Sequence, residues 1–135
     1  MRRFRIILAG HGGFPAGLLS AAEMICGPLP DVSALSIEPG ETPELYAERM
    51  RAAIGHDGRR VLVLCDLLGG TPFNVASSIA RRSPRVVCIS GASLGLAVEA
   101  ALAGGELDEA LVDRLLEAAH SGIVETERHR ARRAS

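Results

Sequence analysis

Residues 60–74 read RVLVLCDLLGGTPFN, and this stretch sets an apolar run directly before a polar, glycine-rich turn. The run VLVL is continuous and partly β-branched, which is typical of a strand covered on both faces. Thr71 and Pro72 then give the cap and first-position signals of a helix that reaches about Arg82. A buried strand followed at once by a helix is the repeating unit of a parallel α/β sheet.

The same unit recurs along the chain. We predict strands at 5–9, 32–37, 60–64 and 86–90, and helices at 15–26, 43–54, 71–82, 93–102 and 108–120. Right-handed crossover connections then give an α/β fold with a doubly wound, mainly parallel four-stranded sheet in the order 2-1-3-4, flanked by helices. The length fits one domain over residues 1–135, with a basic tail from about residue 128 that we expect to be disordered.

Composition excludes several classes of function. A formal net charge of -1 argues against a nucleic-acid partner. All fifteen basic residues are arginine, so a Schiff-base lysine and the lysine of a P-loop are excluded. Three cysteines (Cys26, Cys65 and Cys88) lie in apolar surroundings without CxxC spacing, as reduced core thiols of a cytoplasmic protein do. No apolar stretch approaches the about 20 residues of a membrane span, and the N-terminal stretch is too short for a signal peptide.

Two strand ends carry side chains suited to chemistry. Residues 8–15 read LAGHGGFP, which places His11 among glycines at the end of the first strand, and Asp66 ends the third strand. In the order 2-1-3-4 these ends are neighbours at the switch point, where ligands bind in such sheets. A carboxylate that accepts from one imidazole N–H fixes the tautomer and leaves the other nitrogen free as base, metal ligand or nucleophile.

The glycines around this pair favour an anion. Gly69 and Gly70 let the backbone bend and a ligand approach, Gly12 clears space beside the histidine, and Thr71 opens a helix whose first N–H groups suit phosphate. This arrangement suits a phosphoryl group carried on His11 itself.

A purely structural interpretation also fits the same residues. In that interpretation the histidine only ends a strand, the GGTP stretch is only a turn, and Asp66 caps a helix. The remaining histidines (His56, His120 and His129) have exposed-looking neighbours, and we expect neither a metal site nor a cofactor.

Three segments carry a resemblance to a known family: HGGFPAGLLSAAEMICG at 11–27, IEPGETPEL at 37–45 and VLCDLLGGTPFNVASSIA at 63–80. In order and spacing the chain resembles the enzyme IIA component of the mannose family of the bacterial sugar phosphotransferase system. The resemblance implies a phosphocarrier that accepts phosphate from HPr and passes it to a IIB component, with an indirect link to the membrane components IIC and IID.

Carried onto this sequence, the resemblance makes His11 the phosphorylated residue and Asp66 its orienting partner, with Gly69, Gly70 and Thr71 beside the phosphate. It also implies a homodimer that exchanges a short antiparallel C-terminal strand, for which residues 123–127 are the counterpart. Candidate residues for docking the protein partners are Phe14, Phe73 and Ser93.

One segment departs from the family pattern. Where the family has a segment like GVNLPML, residues 91–97 read GASLGLA, so that Ser93 replaces an asparagine and Gly95 a proline. A regulatory relative that signals phosphorylation state through partner binding is therefore an alternative to a transport role. A flavodoxin-like binding module is a further alternative, although the chain lacks the GxGxxG fingerprint and stacking aromatic residues.

Overall fold

A computed structural model describes residues 1–134 of the chain, which alternate between strands and helices along most of this length. The strands are β1 (Phe4–His11), β2 (Val32–Ile37), β3 (Arg60–Cys65) and β4 (Val86–Ile89). The helices are α1 (Phe14–Cys26), α2 (Pro43–Ile54), α3 (Thr71–Arg82), α4 (Leu94–Leu102), α5 (Glu109–Ser121) and α6 (Thr126–Ala134). No helix of the described chain is both long enough and apolar enough to span a membrane.

The four strands form one sheet in the order β2-β1-β3-β4, and every neighbouring pair is parallel. The predicted fold class and strand order are therefore confirmed. The register sets Ala9 opposite Leu35 on one side and opposite Cys65 on the other. The ends of β1 and β3 consequently lie side by side at the carboxyl edge of the sheet.

Each face of the sheet buries its own aliphatic cluster. Helices α1, α4 and α5 cover one face, where the fully buried side chains include Phe4, Leu64 and Leu96. Helices α2 and α3 cover the other face around Tyr46 and Met50. Because helices cover both faces, the inner strands are apolar almost without alternation, as in parallel sheets generally.

Arginines close the amino edge of the sheet. Arg5 donates to the carbonyl oxygens of Ala53, at 2.9 Å, and of Ile54, which are unpaired at the end of α2. Arg85 donates through Nε to the carbonyl oxygen of Arg59 at 3.0 Å, and both guanidinium groups lie within 4 Å of Asp57. Polar groups at this edge therefore bind one another, and the carboxyl edge stays open.

Side-chain caps begin three of the helices where the sequence predicts them. The side chains of Thr42, Ser93 and Asp108 each accept a hydrogen bond from the backbone N–H three residues later. The predicted cap at Thr71 is wrong. Gly70 is the N-cap residue of α3 and Thr71 is the first helical residue, which leaves its hydroxyl uncommitted to capping.

The C-terminal segment differs from the prediction. Residues 123–125 have no regular structure and Thr126–Ala134 form α6, so the predicted strand at 123–127 is wrong, whereas the disorder predicted from residue 128 stays a prediction. Glu125 explains the difference, because its carboxylate accepts from the N–H groups of Glu127, at 2.9 Å, and Arg128, at 3.2 Å, at the helix start. These local bonds outweigh the β-branched pair Ile123-Val124, and α6 buries none of its residues. Ser135 lies outside the described residues.

Candidate functional site

His11 and Asp66 are in direct contact at the carboxyl edge. Oδ2 of Asp66 lies 2.9 Å from Nδ1 of His11, and it also accepts the backbone N–H of His11 at 2.9 Å. The other oxygen, Oδ1, is buried and has no donor among the described residues. The hydrogen bonding of this carboxylate therefore goes to His11, through one oxygen, and the expected contact between the two side chains is present.

Gly10, which is not among the predicted site residues, permits this contact. A Cβ atom at position 10 would lie 2.6 Å from Oδ2 of Asp66, far inside the contact distance of carbon and oxygen. The register explains the proximity, because Ala9 pairs with Cys65 and the next two residues meet across the strand ends. The signal available in the sequence was a glycine within an otherwise apolar strand, which often marks close approach of another group.

Gly69 and Gly70 shape the other side of the imidazole. Gly69 has a φ of 85° and Gly70 donates to the carbonyl oxygen of Leu67 at 3.1 Å, so residues 67–70 form a turn that requires glycine at its third position. A Cβ atom on Gly70 would lie 3.0 Å from Cε1 of His11 and 3.6 Å from Nε2. The backbone of Gly70 thus borders the part of the ring that faces away from Asp66.

Asn74 holds this turn in place. Its side-chain amide donates to the carbonyl oxygen of Gly69 at 3.1 Å, and its backbone N–H donates to Gly70 at 2.9 Å. This asparagine lies in the motif at 60–74 and is not among the predicted site residues. Its contribution is to fix the backbone beside the imidazole.

An open cleft of about 480 Å³ lies beside His11. Gly12 and Thr71, both predicted site residues, line it together with the imidazole, and the segment from Ser36 to Glu41 forms its opposite wall. Gly12 has a φ of 55°, a left-handed conformation that glycine adopts readily. The structure therefore brings Gly12, Gly70 and Thr71 around His11, with Gly69 in the turn that leads into Gly70.

The predicted docking residues differ in exposure. Phe14, at the start of α1, is 41% exposed. Phe73 is half-buried and packs against the cluster beneath α2 and α3. Ser93 is exposed and its hydroxyl accepts the N–H of Leu96 at 3.1 Å, so it is engaged as the cap of α4. The chain also exposes Leu67 and Leu68, which follow β3 and were not predicted.

Two thiols lie behind the site. Sγ of Cys65, the residue before Asp66, is 3.8 Å from Sγ of Cys88 on the neighbouring strand. The hydrogen bond with Cys88 and burial both raise the pKa of the Cys65 thiol. Cys65 therefore stays neutral and adds no negative charge beside Asp66.

The geometry supports nucleophilic chemistry at one ring nitrogen. With Nδ1 donating to Asp66, Nε2 carries the lone pair of a neutral imidazole, and the His11 side chain is 48% exposed. Within residues 1–134 no group of three or more His, Cys, Asp or Glu side chains is placed to hold a metal ion.

We predict that Gly10→Ala breaks the His11–Asp66 contact and leaves the fold intact. The new methyl group would lie 2.6 Å from the carboxylate oxygen, so the carboxylate must move away from Nδ1. Nitrogen-detected NMR of the histidine ring should then show a mixed tautomer in place of a single one. Gly13→Ala is the matched control, since position 13 has a φ of -79° and open space around its Cβ direction. An unchanged tautomer in Gly10→Ala would contradict the prediction.

The chain is similar in sequence to proteins of one known family. The family model EIIA-man, described as the fructose IIA component of the PTS system, matches residues 5–119. The fructose-specific EIIA component of Bacillus subtilis is 31% identical over 96 residues, which make up 70% of this chain and 66% of that protein. The mannose-specific EIIAB component of Escherichia coli K12 is 33% identical over 100 residues, or 73% of this chain and 31% of that protein.

The fold of a solved relative agrees as well. The mannose/sorbose-specific IIA subunit of the phosphotransferase system from Enterococcus faecalis superimposes with a TM-score of 0.85 at 29% identity, covering 93% of this chain and 95% of that one. The chain spans just under two thirds of the first relative and about a third of the second. Since the family model covers most of the chain and one relative of comparable fold is solved, this protein belongs to the EIIA-man family of phosphotransferase system IIA components.

Proposed function

We propose that this protein is a phosphocarrier that accepts a phosphoryl group from HPr on Nε2 of His11 and passes it to a IIB component. The observation that carries the proposal is the 2.9 Å contact between Nδ1 of His11 and Oδ2 of Asp66, which leaves Nε2 as the available nucleophile. In the transfer, the N–P bond of the phosphohistidine of HPr breaks and a new N–P bond forms at Nε2. The reaction needs no cofactor, since the phosphoryl group moves directly from one histidine to another.

Asp66 supports the step through charge and orientation. Attack by Nε2 leaves positive charge on the imidazole ring, and the carboxylate on Nδ1 stabilises that charge as it develops. Only 14% of the Asp66 side chain is exposed, so solvent screens this interaction weakly. The carboxylate also holds the ring in one orientation through the two bonds to Oδ2.

Donors for the phosphoryl oxygens come from the start of α3. Thr71 offers its backbone N–H and its hydroxyl, and the helix N-terminus favours negative charge. Pro72 has no backbone N–H, so it adds no donor to those of Thr71 in the first turn of α3. Gly12 and Gly70 keep the space beside the ring free of side chains.

Protein partners would dock on the apolar rim of the same edge. Phe14, Leu67, Leu68 and Leu94 are each at least 39% exposed and follow β1, β3 and β4 at their carboxyl ends. Residues of this type at the centre of an interface exclude water around the transferred group. HPr and a IIB component would use this rim in turn, in the cytoplasm, and the IIB component would connect the chain to the membrane components IIC and IID.

His11 is predicted to be the phosphorylated residue. Incubation with phosphoenolpyruvate, enzyme I and HPr should add one phosphoryl group to the intact mass, labile in acid and stable in base. His11→Ala should take up none, whereas His56→Ala, on the opposite edge, should be loaded like the wild type. Labelling of His11→Ala would overturn the proposal. A wild type that is loaded and then fails to pass the group to any IIB component would favour the regulatory alternative.

Asp66→Asn is predicted to slow phosphoryl transfer with the fold retained. The amide has nearly the shape of the carboxylate, but it stabilises the ring charge less and can favour the other tautomer. We expect the loading rate to fall by more than about tenfold, which corresponds to the loss of one charge-assisted hydrogen bond. Asp57→Asn provides a control carboxylate at the amino edge. Rapid-quench measurement of phosphoprotein gives the rate, and a wild-type rate would reduce Asp66 to a structural residue.

We also propose a homodimer, without the exchanged strand that the resemblance implies. The outer edge of β4 is unpaired within the sheet, and the nearby C-terminal segment exposes Ile123 by 82% and Val124 by 46%. Light scattering should give about twice 14.2 kDa for the full chain. Ile123→Asp should weaken the dimer if this segment takes part, while Leu102→Asp is a matched exposed control. A monomer in the wild-type sample would contradict the proposal.

A further inference from the structure

Ser36, on β2, joins the strand to the backbone just after His11. Its hydroxyl donates to the carbonyl oxygen of Gly12 at 2.7 Å, with a second and longer contact to the carbonyl oxygen of Ile37 at 3.3 Å. The sheet ladder between β1 and β2 ends at His11 and Ile37, so this bond extends the connection one residue past the ladder. The bond is made at Gly12, which has a left-handed φ and, as a glycine, would otherwise have more conformational freedom than any other residue type.

Arg49, on α2, holds Ser36 in turn. Its Nη1 donates to the carbonyl oxygen of Ser36 at 3.0 Å and contacts both carboxylate oxygens of Glu41, at 2.8 and 3.0 Å. Glu41 also accepts the backbone N–H of Glu38 at 2.9 Å, and only 8% of its side chain is exposed. The N–H of Glu38 and the Arg49 guanidinium lower the pKa of Glu41, so the carboxylate stays charged at neutral pH.

These contacts connect one wall of the cleft to the backbone that carries the imidazole of His11. Ser36, Glu38 and Glu41 line the same cleft as His11 and Gly12. A chain of hydrogen bonds therefore runs from α2 through β2 to the residue that follows His11. Within the described part of the chain it is independent of Asp66, which holds the ring from β3.

We propose that Ser36 is a positioning residue for the phosphoryl transfer, and that it acts by fixing the backbone at Gly12 and so the orientation of His11. This inference rests on the proposed function for its kinetic consequence. Asp66 restrains the ring through Nδ1, and Ser36 restrains the backbone that carries the ring. Both restraints together hold Nε2 toward the cleft, and the benefit of such restraint appears in the transfer step.

Ser33 separates this role from an effect on the strand alone. It lies on β2 three residues before Ser36, it is exposed, and its hydroxyl makes no hydrogen bond within residues 1–134. Ser33→Ala therefore removes the same hydroxyl group from the same strand without affecting the bond to Gly12. Ser36→Thr keeps a hydroxyl group at position 36, and threonine is a residue that strands accept well.

The experiment compares Ser36→Ala, Ser36→Thr and Ser33→Ala with the wild type. Loading from phosphorylated HPr is measured over a range of HPr concentrations, and ring-nitrogen NMR of His11 is recorded on the unphosphorylated proteins. For Ser36→Ala we expect kcat to fall by about five- to tenfold, in line with one neutral hydrogen bond, at unchanged KM. The His11 ring signals should broaden or shift, Ser36→Thr should recover most of the rate, and Ser33→Ala should match the wild type.

Three results would overturn the inference. A wild-type kcat in Ser36→Ala removes the role of Ser36, and an effect confined to a higher KM for HPr assigns Ser36 to docking. A lower kcat with unchanged His11 signals assigns it to direct contact with the phosphoryl group. If the wild type itself accepts no phosphate, the proposed function fails, and the ring signals still decide whether Ser36 orients His11.

Discussion

Asp66 reaches His11 only because position 10 carries no side chain. The parallel pairing of β1 with β3 sets Ala9 beside Cys65, and the following residues of both strands then compete for the same space. Because Gly10 has no Cβ atom, the carboxylate of Asp66 can occupy this space. It lies there within hydrogen-bond distance of both the backbone N–H and Nδ1 of His11. Every other part of the site, from the turn at Gly69 to the start of α3, is arranged around an imidazole held in this way.

The two edges of the sheet differ in how their polar groups are paired. At the amino edge, the end of α2 leaves carbonyl oxygens without helical partners, and Arg5 and Arg85 donate to them at Ala53 and at the C-cap residue Gly55. At the carboxyl edge, glycines and a proline leave space and a few unpaired donors. The polar groups that bind one another are thus concentrated away from the candidate site, which lies in the loops after the strands, where open α/β sheets commonly carry their function.

The fold was predictable because its signals are local or periodic. The continuous apolar run at 61–64 and the caps at Thr42, Ser93 and Asp108 each specify an element, and the handedness rule then orders the strands. The pairing of His11 with Asp66 follows from that order. Ser36, Arg49 and Glu41 could not be selected, because ordinary polar residues on a strand and a helix acquire partners only through tertiary packing. The strand predicted at 123–127 failed for a related reason, since Glu125 caps a helix there and two β-branched residues carry too little signal to prevent it.

Tyr46 gives the molecule an optical property that follows from its packing. It is the single tyrosine, there is no tryptophan, and its ring is fully buried beneath the Arg49 guanidinium, 5.8 Å from the ring centroid. Its hydroxyl donates to the carbonyl oxygen of Leu35 at 2.7 Å, one residue before Ser36. Under excitation that tyrosine absorbs and phenylalanine does not, the emission therefore arises from one ring, which is bonded to the strand that leads into the cleft wall. Tyrosine fluorescence in this protein is a local signal from the neighbourhood of the cleft beside His11, without the averaging over many rings that obscures such signals in most proteins.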